Sequence, residues 1–226
     1  MQANTMPAVQ YTVWPDDLHG HRFTVKLVIE NPDPAGQIIA MPAWIPGSYL
    51  IRDFSKQIET ITAFTSVKKT ELRKLIPLER LDNDRWRLPK NIGSCEIITT
   101  VYAFDQSVRT AYLDQNRGFF NPTSLCLGVQ GQAHLPCSLA IAPPADQALA
   151  QWDVQCTLTP VKTDSNGFGF YLAKNYDDLI DHPIALGHFD VIEWEVFGTN
   201  HTMVIQGLSS EQSALLDTKR LADDLR

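Results

Sequence analysis

The stretch FTVKLVIE, residues 23–30, decides the fold class. Its apolar side chains fall on every second residue, with Phe23, Val25, Leu27 and Ile29 on one face and Thr24, Lys26 and Glu30 mostly on the other. A period of two is the strand period, and it describes a strand with one face in a core and the other toward water. The same alternation returns in WDVQCTL, through Trp152, Val154, Cys156 and Leu158, and in VIEWEVF, through Ile192, Trp194 and Val196. EIITTVYAF alternates less cleanly, which predicts a strand covered on both faces. Weaker strand candidates are VQYTVW, GQIIAM, QIETITAF, DRWRL, SLAIA and TMVIQG, and turn clusters such as NPDPAG, LDND, PKNIGS, APPAD and DSNG separate them. About ten short strands at this spacing predict an all-β fold, a β-sandwich or a saddle-like antiparallel sheet.

Helical pattern is confined to two places. NYDDLI predicts one short helical turn, with Asn175 as N-cap and Asp177 and Asp178 at the positive helix end. The tail SSEQSALLDTKRLADDLR predicts a C-terminal helix. Ser209 and Gln212 form a capping box, and Leu215, Thr218, Leu221, Ala222 and Leu225 fall on one stripe. That helix has a start signal and no stop signal. The expectation is a β domain over residues 1–207, with residues 208–226 beginning a helical linker into a domain that lies beyond this sequence.

Composition narrows the function classes. The chain has 226 residues, 44% hydrophobic and 20% charged, enough to build a sizeable core without disulfide staples. A net charge of -7 argues against nucleic acid, whose affinity rests on basic clusters. Cys95, Cys126, Cys137 and Cys156 show neither C-x-x-C nor zinc-like spacing and read as buried free thiols. The N-terminus lacks the basic and apolar regions of an export signal, and no apolar run approaches the roughly 20 residues of a membrane helix. The expected setting is soluble, reducing and cytoplasmic, with no nucleic-acid or membrane partner.

No constellation carries recognisable catalysis. His19-x-His21 could present two imidazoles but has no third ligand nearby, so no metal site is expected. Asp177, Asp178 and Asp181 with His182 are explained more simply as a capped surface turn than as acid–base machinery. There is no G-x-S-x-G elbow and no H-E-x-x-H.

The most unusual segment is MPAWIPGSYLIRDFSKQI, residues 41–58. Pro46-Gly47 fits a type II turn, with proline setting φ at the first central position and glycine taking positive φ at the second. Trp44 and Tyr49 flank the turn and can pack across it, and Arg52-Asp53 can tie its base. Two readings stand: a buried aromatic corner of the sandwich, or a docking surface.

That segment resembles the signature near the start of the glycyl aminopeptidase family, zinc metallopeptidases that carry a PDZ domain. YDDLIDHPIALGHFDVIEWEVFGTNHTMVIQG, residues 176–207, is similar to the end of that family's N-terminal domain, and RWRL and VYAFDQSVRTAYLD also fit. The resemblance implies a β-rich N-terminal domain that leads into a zinc catalytic domain and then a PDZ domain, both partners of this one. It implies peptide substrates with a free N-terminus, and zinc held outside these residues. It further implies that the domain packs on the catalytic domain and shapes its cleft. Residues 110–125, TAYLDQNRGFFNPTSL, are the longest stretch without clean periodicity. They read either as a loop folded on the sandwich or as a cleft border, with Asp114, Asn116, Arg117 and Asn121 facing substrate. A stand-alone β-sandwich module binding peptide or carbohydrate through Trp44 and Tyr49 is the alternative, and a purely structural or interaction domain is another.

Overall fold

The computed structural model describes residues 6–65, 73–145 and 151–209, and in the tail residues 211, 212, 215 and 217–224. Strands dominate, in three sheets and a hairpin. The largest sheet has eight strands: β1 (Val9–Asp17), β2 (Arg22–Ile29), β4 (Ile58–Thr65), β5 (Leu75–Ile76), β8 (Cys95–Tyr102), β12 (Cys137–Ile141), β14 (Thr159–Thr163) and β15 (Gly169–Ala173). Their order is β14-β15-β12-β1-β2-β8-β4-β5. One four-stranded sheet is made of β3 (Ile38–Ala40), β6 (Glu79–Arg80), β7 (Arg85–Arg87) and β11 (Gly128–Val129). The other is made of β9 (Ala111–Leu113), β10 (Arg117–Phe120), β13 (Asp153–Gln155) and β16 (Ile184–Gly187). The hairpin pairs β17 (Asp190–Val196) with β18 (Thr199–Ile205).

The alternation of residues 23–30 generates the core. Register aligns Tyr171, Leu139, Tyr11, Leu27, Ile97, Ala63 and Ile76 in one row across seven strands of the large sheet. Every member of that row is buried. Directly opposed side chains on one sheet face are the unit of sheet stabilisation, and fully burying a leucine contributes roughly 1.5–3 kcal/mol. The small sheets contribute Ile39, Trp86, Leu113, Phe120, Val154 and Leu186 to the same core. Phe23 meets Phe120 edge to face at 5.4 Å, joining the large sheet to β10. This is an all-β, sandwich-like domain.

The strand neighbours are not all antiparallel. β1 and β12 run parallel, from Val9↔Cys137 to Val13↔Ile141. A parallel pair needs a long crossover, and here the chain visits both small sheets between the two strands. β8 buries Cys95, Ile97, Thr99 and Val101 on one face, while Ile98 and Thr100 on the other are half-buried.

Two buried phenols fasten the 126–127 backbone to the core. Tyr11 donates to the Leu127 carbonyl at 2.7 Å and Tyr176 to the Cys126 carbonyl at 2.6 Å. Burial pushes both phenols well above the ordinary tyrosine range. All four cysteines are free thiols, with Cys95, Cys126 and Cys137 buried.

Helix α1 (Tyr176–Ile180) starts as expected, with the Asp178 N–H donating to the Asn175 side chain at 2.8 Å. Ser209 and Gln212 exchange both bonds of the capping box. The tail is nevertheless not one helix. A second start follows, where the Arg220 N–H donates to Asp217 and α2 runs Thr218–Asp224. Asp217 competes as a cap inside the stripe, and caps outweigh weak helical propensity. Leu215 is exposed, and the side chains of the rest of that stripe lie outside the described residues. No helix among the described residues is long and apolar enough to cross a membrane.

Candidate functional site

Residues 110–125, read as a loop from their missing periodicity, carry regular structure. They form the hairpin β9–β10 and a short 3-10 turn at Pro122–Ser124. Alternation fails because Ala111, Tyr112 and Leu113 are all buried, and because Gly118 must stay small. A Cβ at Gly118 would lie 3.1 Å from Leu186 and 3.3 Å from Leu113.

The hairpin turn is built around Asp114. Its N–H donates to the Arg117 carbonyl at 2.9 Å, closing the loop. Its Oδ1 accepts from the Asn116 and Arg117 N–H groups at 2.7 and 2.9 Å, and its Oδ2 accepts from the Tyr112 hydroxyl at 2.8 Å. Burial pushes the Asp114 carboxyl up, but these three bonds and the Arg117 charge outweigh it and hold the carboxyl below its ordinary value. The bond to Asp114, with burial and the carboxylate charge, raises the Tyr112 phenol in turn. Phe104 stacks on Tyr112 at 5.3 Å, and the Arg117 guanidinium carbon lies 4.6 Å from the Tyr112 ring centre.

The two histidines considered as ligands instead brace this hairpin. His21 Nδ1 lies 2.6 Å from the Leu113 carbonyl, and its ring packs 3.8 Å from Phe104. The Gln115 amide nitrogen sits 2.6 Å from His19 Nδ1.

A cleft of about 720 Å³ opens beside the turn, lined by residues 112 and 114–117 together with Trp152, His188, Asp190 and Gln206. Asp114, Asn116 and Arg117 therefore come together on one wall. Asn121 stands apart: it is buried, its side-chain amide donates to the Val108 carbonyl at 2.5 Å, and its own carbonyl accepts from the Ser124 hydroxyl. Trp152 and Gln206 carry no local signal that would place them here. Trp152 arrives through pairing, since its neighbour Asp153 and Arg117 both face Gly187 across β16, and Gln206 follows the β17–β18 hairpin to the Leu186 carbonyl. Gly187 has φ +143°, and a Cβ there would lie 2.3 Å from the Gln206 amide. The positive φ is what favours glycine here, since the Gln206 amide is the movable end of its side chain.

The second candidate surface is the turn at residues 44–51. Gly47 has φ +76° and the Ser48 N–H donates to the Ile45 carbonyl at 3.1 Å, which is the type II geometry. Trp44 crosses the turn through its indole N–H, 2.6 Å from the Ser48 carbonyl. Tyr49 does not pack across: it is fully exposed, and Leu50 and Ile51 beside it are exposed as well. The base is tied by backbone, the Arg52 N–H donating to the Ala43 carbonyl at 2.7 Å, while Asp53 accepts from the Ser55 hydroxyl. The Arg52 Nε is buried without a partner among the described residues. A smaller cleft of about 350 Å³ lies below, between Arg52, Lys56, Tyr102 and Thr110.

Among the described residues, no three His, Cys, Asp or Glu side chains come together to hold a metal. The acidic group at α1 is structural. Asp178 accepts from the Lys174 N–H at 2.8 Å and lies 3.7 Å from His182, whose Nδ1 meets the Thr157 hydroxyl at 2.5 Å.

The class defined so far is an all-β sandwich-like domain with a polar cleft at one hairpin and an exposed apolar turn. The family model of the Peptidase M61 N-terminal domain matches residues 10–188, and the chain belongs to that family, the N-terminal domain of glycyl aminopeptidases. Among solved structures, an aminopeptidase N family protein from Idiomarina loihiensis is 40% identical with a TM-score of 0.84. The match covers 96% of this chain and 35% of that one, so this chain spans about a third of that protein's length. No curated protein matches.

Proposed function

We propose that this chain is the non-catalytic N-terminal domain of a zinc-dependent aminopeptidase acting on peptides with a free N-terminus, in a cytoplasmic setting. One observation carries the reading: 40% identity across 96% of this chain to an aminopeptidase N family protein, of which it spans 35%. The domain division at residues 207 and 208, with a catalytic and a PDZ domain beyond, belongs to the same proposal.

The residues described here do not fit zinc, since no three ligating side chains converge. Zinc would sit in the catalytic domain, where it supplies a Lewis acid for peptide hydrolysis. This domain's contribution is position. The turn bearing Tyr49, Leu50 and Ile51 is an exposed apolar surface of the kind that marks a docking site, and the catalytic domain is its occupant in this reading. The β9–β10 turn would then border the substrate cleft, with Asp114, Asn116 and Arg117 on its wall.

The test uses the full open reading frame and the present 226 residues side by side. The full-length protein is expected to hold about one zinc per chain and to cleave amino-acid anilides in a chelator-sensitive way. The present chain is expected to do neither. A full-length protein without zinc or turnover would favour the stand-alone binding module.

A further inference from the structure

We propose that the cleft beside the β9–β10 turn contains a carboxylate subsite, with the Arg117 guanidinium as the ligand for a carboxylate group on a bound peptide. The proposal rests on the peptide-processing reading above and specifies what this wall recognises.

The guanidinium is positioned before any ligand arrives. Arg117 pairs with Gly187 through the backbone, and its own N–H is held by Asp114 Oδ1. Its side chain lies over Tyr112, which is fixed by Phe104 on the ring and by Asp114 on the hydroxyl. An arginine laid on an aromatic ring keeps its fork of N–H donors free at the edge, the geometry that takes a carboxylate with two parallel bonds.

Among the described residues no hydrogen bond or ion pair takes that fork, and its charge helps hold the Asp114 carboxylate. Arg117 is half-buried, with its guanidinium laid over the Tyr112 ring. Asp114, its near neighbour on the turn, is occupied, with one oxygen taking two backbone N–H groups and the other the Tyr112 hydroxyl. The remaining wall adds the Gln206 amide, which makes a 3.5 Å contact with the Leu186 carbonyl. The wall also carries the Asp114 and Asp190 carboxylates, so a ligand carboxylate is directed to the Arg117 fork and not to the wall as a whole. On a peptide that group is a C-terminal carboxylate or an acidic side chain.

Calorimetric titration of the full-length protein distinguishes the two sources. Its probes are N-acetyl-triglycine, the C-terminal amide of that peptide, and the amide of N-acetyl-Gly-Glu-Gly. An aminopeptidase does not cleave N-acetylated probes, so binding is read whether or not the protein turns over free-amine peptides. The acid is expected to bind about tenfold tighter than its amide, the scale of a charge-assisted hydrogen-bonded pair. Arg117→Gln removes that difference, and Arg117→Lys, which keeps the charge and loses the fork, restores part of it. Melting curves of both variants check the fold, and either folded variant carries the comparison. If the acid alone binds tighter than the plain amide, the carboxylate is the C-terminal one; if the glutamate peptide amide alone does, it is a side chain's; if both do, the subsite takes either. Equal affinity for all three probes, or an acid preference that survives Arg117→Gln, overturns the proposal. Failure of the peptidase reading appears separately, as absent turnover of free-amine peptides.

Discussion

Replacing Asp114 with alanine tests whether this carboxylate builds the hairpin or merely decorates it. The substitution removes the acceptor for two backbone N–H groups and for the Tyr112 hydroxyl. A hydrogen bond to a charged group is worth about 1.5–3 kcal/mol net, and at a half-exposed turn water recovers much of what is lost. The expected loss is therefore about 2–3 kcal/mol, or about 5–10 °C in Tm for a domain of this size. Asp114→Asn keeps an oxygen for the two N–H groups but loses the charge and puts an NH2 where an oxygen accepts from the Tyr112 hydroxyl, so about 1–2 kcal/mol is expected. The pH dependence has a definite sign. The folded carboxyl titrates below its ordinary value of 3.8, so its contribution is fully present above that value and is lost as pH falls through the folded pKa. Urea unfolding of the wild type and Asp114→Ala at pH 7, pH 4 and pH 3 should show the two stabilities converging toward the acid end. A loss under about 0.5 kcal/mol at pH 7, or a gap that does not narrow with acid, would refute the account of the turn.

Two further perturbations bear on the fold. Gly47→Val places a β-branched residue at φ +76° where no atom lies within 4 Å of the new Cβ, so strain alone acts. A loss of about 1–3 kcal/mol in thermal unfolding is expected, and an unchanged Tm would mean that the turn relaxes freely. The four cysteines should all titrate as thiols in denaturant, and Cys95, Cys126 and Cys137 should resist a thiol reagent in the native state, because burial pushes Cys95 and Cys137 up to about 12 and Cys126 higher still. A denatured count of two or zero would show a disulfide that the geometry does not contain.

The large sheet was legible because its strands are half-buried. Phe23, Val25, Leu27 and Ile29 alternate in the sequence because they alternate in space, β1 and β4 follow the weaker candidates VQYTVW and QIETITAF, and SLAIA and DRWRL mark the fully buried β12 and, in a small sheet, β7. What escaped lies where that rule has no purchase. β9 is buried at all three positions and β14 is exposed at all five, so neither shows a period. The parallel pairing of β1 with β12 is a long-range choice that no local window reports. In the tail, the stripe of apolar residues hid Asp217, whose side chain starts a new helix inside what reads as one.

The cleft shows the same division at finer scale. Asp114, Asn116 and Arg117 could be named from the sequence because a polar run between aromatics in an aperiodic stretch is a local feature. Their neighbours could not, because Trp152 reaches the wall through the pairing of β13 and β10 on either side of β16, and Gln206 by following the β17–β18 hairpin back to Leu186. Asn121 belonged to the same run and had the same composition, yet it turned inward to satisfy the Val108 carbonyl and the start of a 3-10 turn. Side-chain type alone does not separate a residue that serves a ligand from one that serves the backbone. The separation is made by counting partners. Asn121 spends its groups within the chain, Asp114 spends its oxygens on the turn, and Arg117 keeps its fork of donors unspent at the cleft wall. In a domain without a metal triad among its described residues, that unspent cation is the feature that gives the wall a chemistry of its own.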